Sequence, residues 1–455
     1  MSNDALRIGN AQGFWGDSMD APATLLAQQP DLDYLTLDYL AEVSLSIMAV
    51  QQQKDPSLGY ARDFVEVVRS LSPAWRGGSK CKVVTNAGGL NPEGCAKACA
   101  AALRDAGCSH LKVAIVAGDD VLPLIKAADG GEELLKNLEN GDPISSVKER
   151  LVTANAYLGA KPVADALVLG ADIVITGRVA DPSLVVGPCA YHYGWSWEDH
   201  DKIAGALIAG HIIECGAQVT GGISTNWLDV PNPETIGFPF VEMAPDGSCV
   251  VTKPVGSGGW VTEETVKEQL FYEIGDPADY LSPDARVSFM GLSLRDEGND
   301  RVRVEGAKGS APTPYYKVSA TYRDGYWAQG MLTVFGRNAV KKAKRCGEIV
   351  IDRVRRAGFE LERTNVECLG TGACGPGLFP EPELLETVLR ISVADPRKEA
   401  VERFSKELAP LVTSGAQGVT GFSAGRPRVS PVFGYWPCLI EKGRVTPRVH
   451  VYESW

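Results

Sequence analysis

The sequence has little histidine, no paired-cysteine spacing, no basic excess and no long apolar run. Each shortage removes a class of function. Five histidines in 455 residues make a histidine-ligated metal centre a weak expectation. Eleven cysteines occur with no C-x-x-C spacing, so a structural zinc site is not indicated. The start, Met1 to Arg7, lacks a basic segment followed by an apolar core, which gives no signal peptide and predicts free thiols in a reducing cytosol. Lys+Arg number 45 against Asp+Glu 57, a net charge of −12. That balance argues against nucleic acid or an anionic membrane as partner, because both want a basic face. The most apolar stretch, Val163 to Thr176, is broken by Asp165 and Asp172 and is too short to span a bilayer. The expectation is a cytoplasmic protein.

What is present is ordinary globular composition, 44% apolar and 22% charged, in a chain long enough for more than one domain. The first half alternates strand-like and helical runs, the pattern of an α/β domain with a mainly parallel sheet. Candidate strands are Leu6–Asn10, Tyr34–Asp38, Lys82–Asn86, Leu111–Ala117 and Asp172–Thr176. Nearly every one runs into a loop with Gly, Asn or Asp, and in such sheets ligands bind outside the carboxyl ends of the strands. From about Pro239 strand-like pieces are interleaved with Pro and Gly, and helical runs follow at Asn338–Ala357, Glu383–Ser392 and Arg397–Ala409. Pro231, Pro233 and Pro239 stiffen a connection. The reading is a mainly parallel α/β domain over 1–235 and a second, α+β domain over 236–455.

The cofactor fingerprints are missing. Gly9 to Gly16 has the spacing G-x-x-x-G-x-x-G rather than G-x-G-x-x-G, and Asp17 puts charge where a pyrophosphate would sit. No NAD or FAD is expected. No G-K-[ST] follows the glycines at Gly256–Gly259 and no G-x-S-x-G elbow occurs, which argues against a Walker loop and a serine hydrolase. Cys374 has no basic neighbour to activate it.

Several loops carry candidate chemistry. Asn86-Ala-Gly88-Gly89 ends a strand and allows close backbone approach to a ligand. Thr176-Gly-Arg178-Val-Ala-Asp181-Pro-Ser183 places a guanidinium fork beside a carboxylate, which suits anion binding next to a base, or simply closes a loop. His211 and Glu214 are i, i+3 neighbours able to reach one site, just before the Gly221-Gly222 turn. Ser257, Gly258 and Gly259 offer N–H groups to a phosphate or carboxylate, with Thr262 as the cap of the next helix. Asp181 and Glu214 are therefore the candidate catalytic residues. Arg178, Asn86, Gly88, Gly89, Gly221, Gly222, Ser257, Gly258 and Gly259 are the candidate substrate-binding residues. Glu42 and Asp120 are further carboxylates on the same rim, and a divalent cation held by two of these groups stays open.

Taken in order, Gly13-Phe-Trp-Gly-Asp-Ser, Asp38-Tyr-Leu-Ala-Glu42, Asn86-Ala-Gly-Gly-Leu-Asn-Pro, Thr176-Gly-Arg-Val-Ala-Asp-Pro-Ser, His211-Ile-Ile-Glu-Cys-Gly-Ala-Gln-Val-Thr-Gly-Gly, Gly256-Ser-Gly-Gly and Tyr272-Glu-Ile-Gly-Asp-Pro resemble the acyclic terpene utilisation AtuA-type family. The resemblance implies a role in bacterial catabolism of acyclic terpenes, and a separate small companion subunit of the kind many relatives use. The expectation is a homo-oligomeric catabolic enzyme for a small carboxylate or acyl-CoA thioester, of lyase or hydratase type. Alternatives are a ligand-binding or scaffolding subunit that needs the companion, and a thioester hydrolase.

Overall fold

A computed structural model describes residues 5–41, 43–128, 133–378, 380, 382–421 and 425–452. Its strands are β1 (Leu6–Asn10), β2 (Tyr34–Leu37), β3 (Lys82–Thr85), β4 (Val113–Ala117), β5 (Leu151–Ala156), β6 (Ile173–Thr176), β7 (Phe240–Met243), β8 (Cys249–Thr252), β9 (Tyr280–Leu281) and β10 (Arg286–Ser288). They continue as β11 (Ser293–Asp296), β12 (Val302–Glu305), β13 (Lys308–Ser310), β14 (Tyr315–Phe335), β15 (Arg363–Leu369), β16 (Glu386–Asp395), β17 (Val419–Thr420), β18 (Ser430–Glu441) and β19 (Arg448–Tyr452).

The chain forms two compact units, one running to Thr321 and resuming at Tyr435, the other Tyr322–Gly434. In the first, a ten-stranded sheet has the order β11-β12-β8-β7-β1-β2-β3-β6-β4-β19. Its centre, β1-β2-β3-β6-β4, is parallel, and antiparallel strands extend both edges. The central strands are almost wholly buried, as their near-continuous apolar runs require when both faces are covered. The parallel centre is the α/β pattern that the alternation in the sequence indicates, and the sheet as a whole is mixed, with four parallel and five antiparallel pairings.

The divide falls elsewhere than residue 235. β7 pairs with β1, Val241 opposite Ile8, and β8 and β12 follow on the same sheet. The change of texture near Pro239 thus marks the switch from parallel to antiparallel strands within one sheet. The second unit holds the antiparallel set β15-β16-β14-β17, covered by the helix Ala339–Arg356 through Val340, Ala343, Val350 and Val354. The expected helix at Glu383–Ser392 is instead largely β16, whose residues alternate buried and half-buried. Cross-strand pairing with β14 and β15 satisfies that alternation, and a helix would not.

Two parallel strands that are neighbours in the sheet, β3 and β6, feed different helix layers. The helices Ala21–Gln28, Asp63–Arg76 and Pro92–Asp105 share one core, while Lys161–Val168, Ser183–Tyr193 and His200–Ile213 pack on one another. A crevice at the carboxyl ends of such strands is where an open α/β sheet receives a ligand. No helix among the described residues is long and apolar enough to cross a membrane.

Candidate functional site

The helix His200–Ile213 carries the first half of the site. Every residue from Ile203 to Ile213 is buried, so this helix is covered on all sides. Gly210 allows one close approach: a Cβ there would stand 2.8 Å from Pro182 Cα. The absence of a side chain is what lets the helix end lie against the Asp181–Pro182 turn. Asn10, at the end of β1, donates its amide to the carbonyls of Ile213 (2.6 Å) and Glu214 (2.7 Å). It thereby satisfies the last carbonyls of the helix and fixes Glu214 against the sheet.

The second half follows β6. Arg178 is buried, and its backbone N–H donates to Asp119 Oδ2 at 2.9 Å. Its guanidinium donates to the Leu40 carbonyl (2.7 Å), meets Asp181 at 2.9 and 3.3 Å, and lies 4.0 Å from the centre of the Tyr157 ring. Asp38, at the end of β2, is buried and accepts from Asn86 Nδ2 (2.6 Å) and the Leu40 N–H (2.9 Å). A cavity of about 460 Å³ is lined by Asp17, Asp38, Arg178, Asp181, Glu214 and Glu273, with Phe14 and Ile223. A smaller one, about 210 Å³, shares Arg178, Asp181, Glu214 and Glu273.

Electrostatics divide the acids. Burial pushes the Glu214 carboxyl well above its usual range, and the charges of Asp181 and Glu273 add to this while Arg178 opposes it. Its Oε1 lies 3.0 Å from His211 Nδ1, and burial holds that imidazole down to about 4. Burial thus favours the neutral form of both groups, and the tautomer of the imidazole sets which of them donates across this contact. Burial also raises Asp38, reinforced by Asp181 and opposed by Arg178. Asp181 instead stands in an ion pair with Arg178, an arrangement that favours a carboxylate. Among the described residues no three His, Cys, Asp or Glu side chains converge at metal-ligand spacing.

A family model described as "Acyclic terpene utilisation family protein AtuA" matches residues 6–451. The chain belongs to the AtuA family. No curated protein and no solved structure matches it. In this AtuA-family chain the structure brings Arg178, Asp181, Glu214 and Gly222 to one cavity. Asn86 sits one layer behind, donating to Asp38 and accepting from the Tyr39 N–H at 2.7 Å. Gly88 packs where a Cβ would meet the Thr176 carbonyl at 2.6 Å, and Gly221 packs against Val230. Gly89 faces a different cavity together with Asp120, whose carboxylate accepts the Leu122 N–H. Glu42 lies outside the described residues.

The glycine loop at 256–259 turns three of its N–H groups onto protein carbonyls. The N–H groups of Ser257, Gly258 and Gly259 donate to the carbonyls of Pro254 (3.3 Å), Thr235 (2.8 Å) and Pro231 (2.7 Å). The Ser257 hydroxyl donates to Pro254. These four donors are engaged inside the protein. Thr262 does cap the next helix, in a reciprocal box with Thr265. Sequence reasoning missed Asn10, Asp38, Tyr157, Glu273 and Lys317 as site residues. Asp38 and Asn10 were legible as polar ends of parallel strands, while Lys317 gives no local signal.

Proposed function

We propose that this AtuA-family chain is a catabolic proton-transfer enzyme of lyase or hydratase type, acting on a small carboxylate or acyl thioester. One observation carries the reading: two carboxyl groups from separate segments reach one cavity, Asp181 ion-paired with Arg178 and Glu214 buried against His211. Environments that push two acids apart in this way assign a base and an acid. In a dehydration, Asp181 takes the proton from the carbon next to the substrate carbonyl. The Glu214–His211 pair gives its proton to the departing hydroxyl, so the C–H and C–O bonds break, a C=C bond forms and water leaves. Hydration is the reverse. Cys215 also lines the cavity, but burial and Glu214 raise its thiol far above neutrality. That disfavours a thiolate nucleophile and the hydrolase alternative.

The test needs no prior substrate. The full chain, alone and with a small companion protein, is incubated in deuterated water with a panel of hydroxy acids and hydroxyacyl-CoAs. Mass spectrometry follows deuterium entering the carbon next to the carbonyl. Exchange should fall by about a hundredfold in Asp181→Asn and in Glu214→Gln. Wild-type exchange in Asp181→Asn ends the proposal.

A further inference from the structure

The smaller cavity carries two polar groups that the acid–base reading leaves unused. His211 is buried, and its Nε2 has no hydrogen-bond partner among the described residues. An unmatched buried ring nitrogen is destabilising unless a polar group fills the space before it. Lys317 also lines this cavity. Its ammonium stands 5.3 Å from the centre of the Tyr157 ring and 6.0 Å from that of Tyr435. Among the described residues it has neither a hydrogen bond nor an ion pair. Arg178 lies over the same Tyr157 ring, but its charge is answered by Asp181.

Arg178 and Lys317 stand against Asp181 and Glu273 at this cavity, so its charges balance. Arg178 and Asp181 cancel, and Glu214 with His211 is neutral overall while Glu214 keeps its proton. Lys317 is then a cation with no ion pair among the described residues, exposed at the rim as Glu273 is. The role of Nε2 follows the tautomer. With Nδ1 accepting from Glu214 the ring hydrogen is on Nε2, which then donates. A ring hydrogen on Nδ1 alone would make Nε2 an acceptor and exclude a carboxylate there.

We propose that the smaller cavity anchors a carboxylate group of the substrate, one oxygen accepting from His211 Nε2–H and the other from Lys317. This rests on the acid–base reading and deepens it, because it selects a free carboxylic acid over a thioester with a neutral carbonyl. It also reassigns anion binding from Arg178, whose fork is spent on Asp181 and Leu40, to Lys317. Asp181 and Glu214 face both cavities, so the carbons next to an anchored carboxylate lie between the acid and the base.

Calorimetric titration of the full chain tests the subsite without turnover. The probes are butanoate and its neutral counterpart butanamide, both small enough for about 210 Å³. Butanoate should bind the wild type at least tenfold more tightly than butanamide. Lys317→Met should erase that preference and Lys317→Arg should retain it, with thermal unfolding confirming that both variants fold. Equal binding of the two probes, no detectable butanoate binding by the folded wild type, or unchanged preference in Lys317→Met overturns the subsite. Those results leave the deuterium-exchange outcome for Asp181→Asn untouched, so the two ideas fail separately.

Discussion

The loop after β6, residues 177–182, and the glycine loop at 256–259 look alike in the sequence. Both are glycine-containing turns beside a strand, and both suggest an anion site. In the structure they differ in what their polar groups touch. Around the first, Glu214 Oε2 and His211 Nε2 are buried without partners among the described residues, and Arg178 holds Asp181 at the wall of two cavities. In the second, three successive N–H groups meet protein carbonyls. A glycine turn is a ligand site only if folding leaves its polar groups unsatisfied, because each engaged donor has already been exchanged for an internal hydrogen bond.

The largest expected effect breaks the second region. A Cβ at Gly258 would stand 2.0 Å from the Asn232 carbonyl oxygen and 2.9 Å from the Thr235 carbonyl carbon. Backbone cannot yield there as a flexible side chain would. Gly258→Val should therefore lower unfolding stability by more than about 3 kcal/mol, while the fraction that folds keeps wild-type ligand affinity. Urea unfolding together with titration of the folded fraction checks both halves. Intact stability with lost ligand binding would return this loop to the site.

Legibility follows the same contrast. The parallel strands were readable because Ile173–Thr176 and its neighbours are short apolar-rich runs ending in polar turns. Arg178 and Asp181 follow such a strand and Glu214 ends a helix, the structure brings the three to one cavity, and the i, i+3 spacing of His211 and Glu214 places them in contact. What the sequence hid is long-range. Gly210 against Pro182, Asn10 on the Glu214 carbonyl and Lys317 beside Tyr157 join segments far apart in the chain, and no local pattern marks them. β16 was misread for the same reason, since its partners β14 and β15 decide its conformation.

The next effect sharpens the comparison through pH. Asp119 lies behind Arg178, accepting from its N–H and from Asn155 Nδ2 at 2.8 Å. Burial raises its carboxyl from 3.8 to about 6. Because the folded value is the higher one, the stabilisation it gives is fully present below about 4 and is lost as pH rises through about 6. Between pH 4 and 7 the wild type should lose up to roughly 3 kcal/mol relative to Asp119→Asn. Denaturation at several pH values measures that difference. A pH-independent difference would mean that Asp119 stays ionised throughout.

Arg178→Lys should be milder. Lysine keeps the charge but not the planar fork, so it cannot serve Leu40 and both Asp181 oxygens together. A loss of about 2 kcal/mol in stability is expected. Carboxylate affinity should change less than it does in Lys317→Met, since Arg178 positions Asp181 rather than holding the ligand. Thermal unfolding and butanoate titration give the two readouts. Affinity lost at full stability would restore Arg178 as the anion anchor.

The smallest effect concerns strain. Six residues other than glycine have positive φ among those described, and four are Asn or Asp, which tolerate that region. The other two, Ile223 at 50° and Glu273 at 61°, both line the larger cavity. Ile223 is the sharper case because a β-branched side chain is a genuine outlier there. It is also 73% exposed, so packing gives it little in return. Replacement by glycine relieves about 1–2 kcal/mol of backbone strain and costs about 0.5–1 kcal/mol through the freer unfolded chain. Ile223→Gly should thus be neutral to slightly more stable, by up to about 1 kcal/mol. Strain that persists at a cavity wall is expected where the backbone is held for function, so turnover should fall while stability does not. Turnover unchanged at equal or higher stability would show that the conformation is incidental. The working difference between the two loops would then lie in their unsatisfied polar groups alone.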